Sequence, residues 1–139
     1  MKRTVNILVV EDNEDFNNLI MKALRQSIHF TDQQKSYKLV LYSYTDSSEC
    51  YRKIKSQDLQ DGDIIAFINY LPGELTSGND IVNLLKNQSN NPKIVLLCQS
   101  KETDNQNKLF SHDYSVPKDK YAPALCRLYL DQFIDNKFS

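Results

Sequence analysis

The stretch Val5-Asn6-Ile7-Leu8-Val9-Val10-Glu11-Asp12-Asn13 decides the fold. Its apolar run stops at two carboxylates, as when a buried strand empties into a polar turn. The period then changes. Phe16, Leu19, Ile20, Ala23, Leu24 and Ile28 recur at helical spacing, and Asp12 with Asp15 three residues later suits a capped helix start. Strand, turn and helix form the opening unit, and the rest of the chain repeats it. Residues 29–36 are polar and read as a surface loop. Lys38 to Tyr44 returns to apolar and aromatic residues, and Asp46-Ser47-Ser48-Glu49 offers caps for a short helix carrying Cys50, Tyr51 and Ile54. Ile64 to Ile68 reads as a third strand, Asn69 to Gly73 as a loop, and Asp80 to Lys86 as a helix. Pro92 precedes a fourth strand, Lys93 to Cys98, and a weakly helical stretch from Lys101 to Phe110 leads to a short fifth strand around Tyr114-Ser115-Val116. The last helix is predicted from Tyr121 to Asp135, with Pro123 in its first turn and Leu125, Leu128, Tyr129 and Phe133 on one face.

Strands alternating with helices predict an α/β domain, a doubly wound parallel sheet with helices on both faces, because parallel strands need right-handed crossovers. Ligands in such folds sit beyond the carboxyl ends of the strands. That directs attention to Glu11-Asp12, Ile68-Asn69, Leu97-Cys98 and the segment after Val116. With 139 residues, a single domain over 1–139 is expected, leaving no length for an effector domain. Lys plus Arg number 17 against 18 Asp plus Glu, which argues against disorder by self-repulsion and against nucleic-acid binding. No apolar run is long enough for a signal segment or a membrane span, so the expectation is a cytoplasmic protein. Cys50, Cys98 and Cys126 lack CxxC spacing, which speaks against a zinc site or a disulfide framework and for packed, reduced thiols. His29 and His112 have no partner at ligand spacing and read as surface histidines.

Four segments together resemble the receiver domain of two-component response regulators: Ile7 to Asn13, Asp63 to Gly73 with Gly78 following, Pro92 to Cys98, and Asp113 to Lys118. The resemblance covers essentially the whole chain. It implies the flavodoxin-like (CheY-like) sheet with strand order 2-1-3-4-5, and a pocket in which an acidic pair holds Mg2+, an Asp accepts a phosphoryl group, and a Thr or Ser and a Lys assist. The acidic pair is present as Glu11 and Asp12, oxygen donors of the kind a hard cation takes. Counting back from Pro72, the acceptor position falls on Ile68, which cannot be phosphorylated; its neighbour Asn69 carries a carboxamide, which is no nucleophile for phosphoryl transfer. The hydroxyl position falls on Leu97. The Lys position falls on Pro117, with Lys118 one residue later.

These departures describe a degenerate receiver, a pseudo-receiver, with a vestigial pocket of Glu11, Asp12, Ile68, Asn69, Leu97, Pro117 and Lys118. No catalytic residue, no phosphoacceptor and no cofactor are expected, and Mg2+ at Glu11 and Asp12 is weak or lost. Ile68 and Leu97 are expected to cover the emptied pocket with apolar packing. What remains is an interaction surface. Tyr114 falls on the family's switch aromatic, and with Tyr121, Tyr129 and Phe133 it marks the face that receivers build from the fourth helix, fifth strand and fifth helix. The implied partner is another signalling protein (a histidine kinase, a regulator or an output protein) or a second copy of the chain. Two alternatives stand beside this reading. One is an active receiver using Asp12 as acceptor, assisted by Glu11, Lys118 and Mg2+. The other is a flavodoxin-like enzyme or flavin-binding protein, disfavoured because Glu11-Asp12-Asn13-Glu14 is no hydroxyl-rich phosphate loop and no GxGxxG or GxxxxGK[ST] run is present.

Overall fold

The computed structural model describes residues 3–30, 37–56, 59–69, 78–89, 91–98 and 112–138. The elements run β1 (Arg3–Val10), α1 (Glu14–Arg25), a 3-10 turn (Ile28–Phe30), β2 (Tyr37–Tyr44), α2 (Ser47–Lys55), β3 (Asp63–Asn69), α3 (Gly78–Gln88), β4 (Lys93–Cys98), β5 (Tyr114–Pro117) and α4 (Ala122–Phe138). The helical stretch expected between Lys101 and Phe110, and the loop residues 70–73, lie outside the described residues.

All five strands are parallel and lie in the order β2-β1-β3-β4-β5. Alternation along each strand divides the apolar residues between two cores. Val5, Ile7 and Val9 of β1, Ile65 and Phe67 of β3, Val95 and Leu97 of β4 and Val116 of β5 face α1 and α4. Leu8, Val10, Ile64, Ala66, Ile68, Ile94, Leu96 and Cys98 face α2 and α3. Within the described residues, no helix is long and apolar enough to cross a membrane.

Helix ends and faces differ from the sequence reading in three places. Asn13, rather than Asp12, caps α1: its side chain accepts from the Phe16 N–H at 2.8 Å. The helix stops at Arg25, so Ile28 sits in the 3-10 turn and is exposed, as is Leu19. On α4 the buried stripe is Ala122, Cys126, Leu130, Phe133 and Ile134, which turns Leu128 outward. The helix is apolar on more than one side, and packing against α1 and the sheet selects which side is covered.

Cys50, Cys98 and Cys126 are free and buried, and burial pushes the thiols of Cys50 and Cys126 up to about 12. His29 is not a surface histidine. Its side chain is 12% exposed; Nδ1 meets the Tyr37 hydroxyl, and Nε2 lies 3.1 Å from Asp135 Oδ1, tying the 3-10 turn to β2 and α4. His112 is half-buried, with Nε2 2.9 Å from Ser115 Oγ.

The turn into β3 depends on close backbone approach. Asn6, buried in β1, donates from Nδ2 to the carbonyls of Gln60 (2.8 Å) and Asp63 (3.3 Å), drawing the turn onto the sheet. Gly62 then adopts φ +152°, and a Cβ there would stand 2.1 Å from the Thr4 carbonyl oxygen. Gly62→Ala is therefore expected to cost about 1 to 3 kcal/mol in urea denaturation without changing the slope. An unchanged midpoint would contradict this account of the turn.

Candidate functional site

The carboxyl ends of β1, β3, β4 and β5 converge on one cluster. Glu11 follows β1 and has no exposed surface. Its N–H donates to the Tyr44 carbonyl at 3.0 Å, and Asn17 of α1 donates from Nδ2 to the carbonyls of Glu11 (3.1 Å) and Tyr44 (3.2 Å). Ser43 Oγ donates to Asn17 Oδ1 at 2.7 Å, so a buried amide ties the end of β1 to β2. Asn17 was not singled out from the sequence. The available signal was a carboxamide sharing the helical stripe of Ile20, Met21 and Leu24, all buried.

The Glu11 carboxylate meets three donors. Lys118 Nζ lies 2.8 Å from Oε1; Oε2 accepts from the Asn13 N–H at 2.9 Å and from Asn69 Nδ2 at 3.3 Å. Asn69 Nδ2 also donates to Asp12 Oδ1 at 2.9 Å. Lys118 follows β5 with its side chain 10% exposed; its N–H donates to the Cys98 carbonyl and its ammonium lies 5.1 Å from the Phe16 ring centroid. Pro117, paired with Cys98 across β4 and β5, is exposed. Lys118, not Pro117, therefore reaches the acidic pair.

Alternation also corrects the acceptor position. Val10 pairs with Ile68, and both belong to the core under α2 and α3. The residue after each turns to the other face, so Asn69, not Ile68, meets the carboxylates, and Ile68 does not cover the pocket. Ile68, on which the count back from Pro72 falls, thus lies one residue outside the cluster, and Asn69 lies in it. Leu97 pairs with Asn69 and packs in the core on the pocket's own face, presenting no hydroxyl there.

Burial pushes the Glu11 carboxyl above the usual carboxylate range and its hydrogen bond with Asp12 pushes the same way, while Lys118 and the Asn13 N–H pull it back. Asp12, more exposed, is held below the usual range chiefly by the Glu11 hydrogen bond, against a smaller effect of burial, with Asn69 adding to the lowering. The two form one hydrogen-bonded acid pair in which Glu11 is the harder to ionise.

As a donor set for Mg2+, these residues do not fit. An ammonium holds one oxygen of Glu11, and Asn69 turns N–H donors toward both carboxylates where a third anionic ligand would be needed. Among the described residues no group of three or more His, Cys, Asp or Glu is arranged to hold a metal ion.

The aromatic residues expected on the interaction face divide. Tyr114 is 38% exposed and stacks on Tyr129 with ring centroids 4.3 Å apart, with Lys93 Nζ 5.6 Å from its centroid. Tyr121 is 61% exposed. Phe133 is a correction: at 6% exposed it belongs to the core, offering at most a wall of the cleft of about 470 Å³ between β5 and α4.

Removing Lys118 strands a buried carboxylate. Lys118→Met is expected to destabilise the fold by about 3 kcal/mol at about pH 8. Without the ammonium the Glu11 carboxyl rises further, so the folded chain keeps a proton that the unfolded chain has lost, and stability falls as pH rises. The deficit should therefore shrink toward about pH 5. Urea denaturation at both pH values measures it, and a deficit independent of pH would remove Glu11 as its cause.

No protein-family model matches the chain, and no curated protein matches its sequence. Solved structures do match. The N-terminal domain of an uncharacterized protein from Wolinella succinogenes superposes with a TM-score of 0.65 at 16% identity, over 96% of this chain and 95% of that one. A response regulator receiver domain from Rhodospirillum rubrum gives 0.65 at 16%, over 94% and 93%. The BeF3-activated receiver domain of DrrB, a Thermotoga maritima response regulator, gives 0.64 at 14%, over 97% and 99%. Identities this low carry the fold alone: the chain has the flavodoxin-like fold of response regulator receiver domains.

Proposed function

We propose that the chain is an atypical receiver, a pseudo-receiver of two-component-type signalling that works by binding another protein without phosphoryl transfer. The observation carrying this reading is Asn69, turned into the pocket beside Glu11 and Asp12 where a receiver needs its acceptor carboxylate. A carboxamide supplies neither the nucleophilic oxygen nor the negative charge of an Asp. Leu97, in register beside it, adds no hydroxyl donor for a phosphoryl oxygen. The receiver fold supports a signalling role, with a histidine kinase, a regulator, an output protein or a second copy as partner, and no enzymatic activity of its own.

Incubation with acetyl phosphate and Mg2+ is expected to leave the intact mass unchanged, and beryllofluoride is expected to leave the tyrosine fluorescence unchanged. Phosphoryl transfer to Asp12, or to any other side chain, would overturn the reading. Ile68→Asp is uninformative about chemistry, because that side chain belongs to the far core; Asn69→Asp is the substitution that places a carboxylate beside Asp12.

The binding surface of this reading is the stacked tyrosine pair of β5 and α4, Tyr114 exposed and Tyr129 half-buried beneath it. Interfaces draw most of their energy from a few aromatic anchors. Tyr129→Ala is expected to weaken association, with a native partner or a second copy, by about tenfold. Asp12→Asn, which alters the pocket at an exposed position, should leave association unchanged. Cross-linking in native lysate compares the two, and the opposite pattern would return the binding role to the pocket.

A further inference from the structure

We propose that the Lys118 ammonium is the resident cation of the carboxylate pocket, standing in for a divalent metal and excluding Mg2+ from the folded protein. The inference deepens the reading above and rests on it only in taking Asn69 as the end of acceptor chemistry.

Charge comes first. Glu11 has no exposed surface, and a bare carboxylate in that environment is costly unless paired. Lys118 Nζ at 2.8 Å supplies the pairing from inside the chain. Two carboxylates and one ammonium leave a single negative charge, and that charge falls on Asp12, where water screens it. A third carboxylate at position 69 would leave a cluster needing a dication. The carboxamide removes that need.

Geometry follows. A metal bound by Glu11 and Asp12 requires their oxygens to converge on it, and Mg2+ demands close to octahedral placement. Here Glu11 Oε1 faces the ammonium, while Oε2 is engaged by the Asn13 N–H and by Asn69 Nδ2, which also holds Asp12 Oδ1. Every one of these bonds would have to be given up or rearranged for the metal to enter. The ammonium itself is fixed: it emerges directly from the end of β5, whose following N–H is tied to β4 at 2.8 Å, and it lies over the Phe16 ring. A cation held by the chain pays no translational cost that a free ion would pay.

Mn2+ uptake by electron paramagnetic resonance and Mg2+ titration by calorimetry test the proposal on the whole chain. The wild type and Lys118→Arg, which keeps the positive charge, are expected to show no saturable uptake. Lys118→Met and Lys118→Gln, checked for folding by circular dichroism, are expected to bind Mn2+ at least about tenfold more tightly than the wild type, since a like charge a few ångströms from the metal has been removed. Adding Glu11→Gln to either should abolish the gain. Saturable Mg2+ binding by the wild type overturns the inference, as does failure of both folded variants to gain uptake. Acetyl phosphate labelling run in parallel separates the two readings: metal uptake by an unlabelled wild type sinks only this inference, whereas labelling sinks the functional reading itself.

Discussion

A carboxylate with no access to water sits at the end of β1, and most of the upper edge of the sheet is organised around satisfying it. Glu11 draws Lys118 from the end of β5, the N–H of Asn13 from the first turn of α1, and Asn69 from the end of β3. One side chain thus ties the end of β1 to those of its neighbour β3 and of β5 at the sheet's far edge. The local consequence reaches back into α1: with Asp12 engaged by Asn69, the capping role passes to Asn13. Such a pair adds little net stability over apolar packing of the same volume, yet breaking it from one side is costly. Its effect is to specify one arrangement of the strand ends, and a change at any member obliges the others to change.

The positions of β1, β3 and β4 were legible because these inner strands are covered on both faces, so each reads as a solid apolar run bounded by polar residues. Lys93 to Cys98 was located to the residue for that reason. The turn that follows β1 was equally plain, since two carboxylates end an apolar run there. The face of α4 was legible in part, with Phe133 buried and Leu125 and Tyr129 packed against the core but Leu128 exposed. Leu125, Leu128 and Tyr129 compete with Cys126, Leu130 and Ile134 for the buried side, and only packing against α1 and the sheet decides between them.

The site was legible in composition and displaced in position. Asn69, Leu97 and Lys118 all fell among the residues singled out, but counting from Pro72 assigned the acceptor place to Ile68 and counting along β5 assigned the Lys place to Pro117. Strand parity resolves both, because a residue that follows a core-facing partner of Val10 must face the opposite way, as Glu11 does. Parity is present in the sequence, but using it requires knowing that Val10 and Ile68 are partners, which is a fact of register. Asn17 escaped for a related reason: its bonds run to β2, far away along the chain.

The residues of the pocket are mutually consistent in charge. A receiver needs its acceptor to be anionic and needs a dication to tolerate the resulting crowd of carboxylates. Once position 69 is a carboxamide, that crowd is reduced to Glu11 and Asp12, and a single ammonium suffices for the buried one. The same carboxamide then serves as a donor to both, which an Asp cannot do when ionised. A hydroxyl beside it would have no phosphoryl oxygen to bond, and in a buried site it would need a partner of its own; Leu97 fills that place and makes no such demand. On the proposed reading, each of these residues removes the reason for the next group a phosphorylating pocket would need. At the start of β5, Tyr114 stacks on Tyr129, joined to the pocket by the short strand that leads to Lys118. On the proposed reading, the surface of that tyrosine pair meets a partner without waiting for the arrival of a phosphoryl group to set its state.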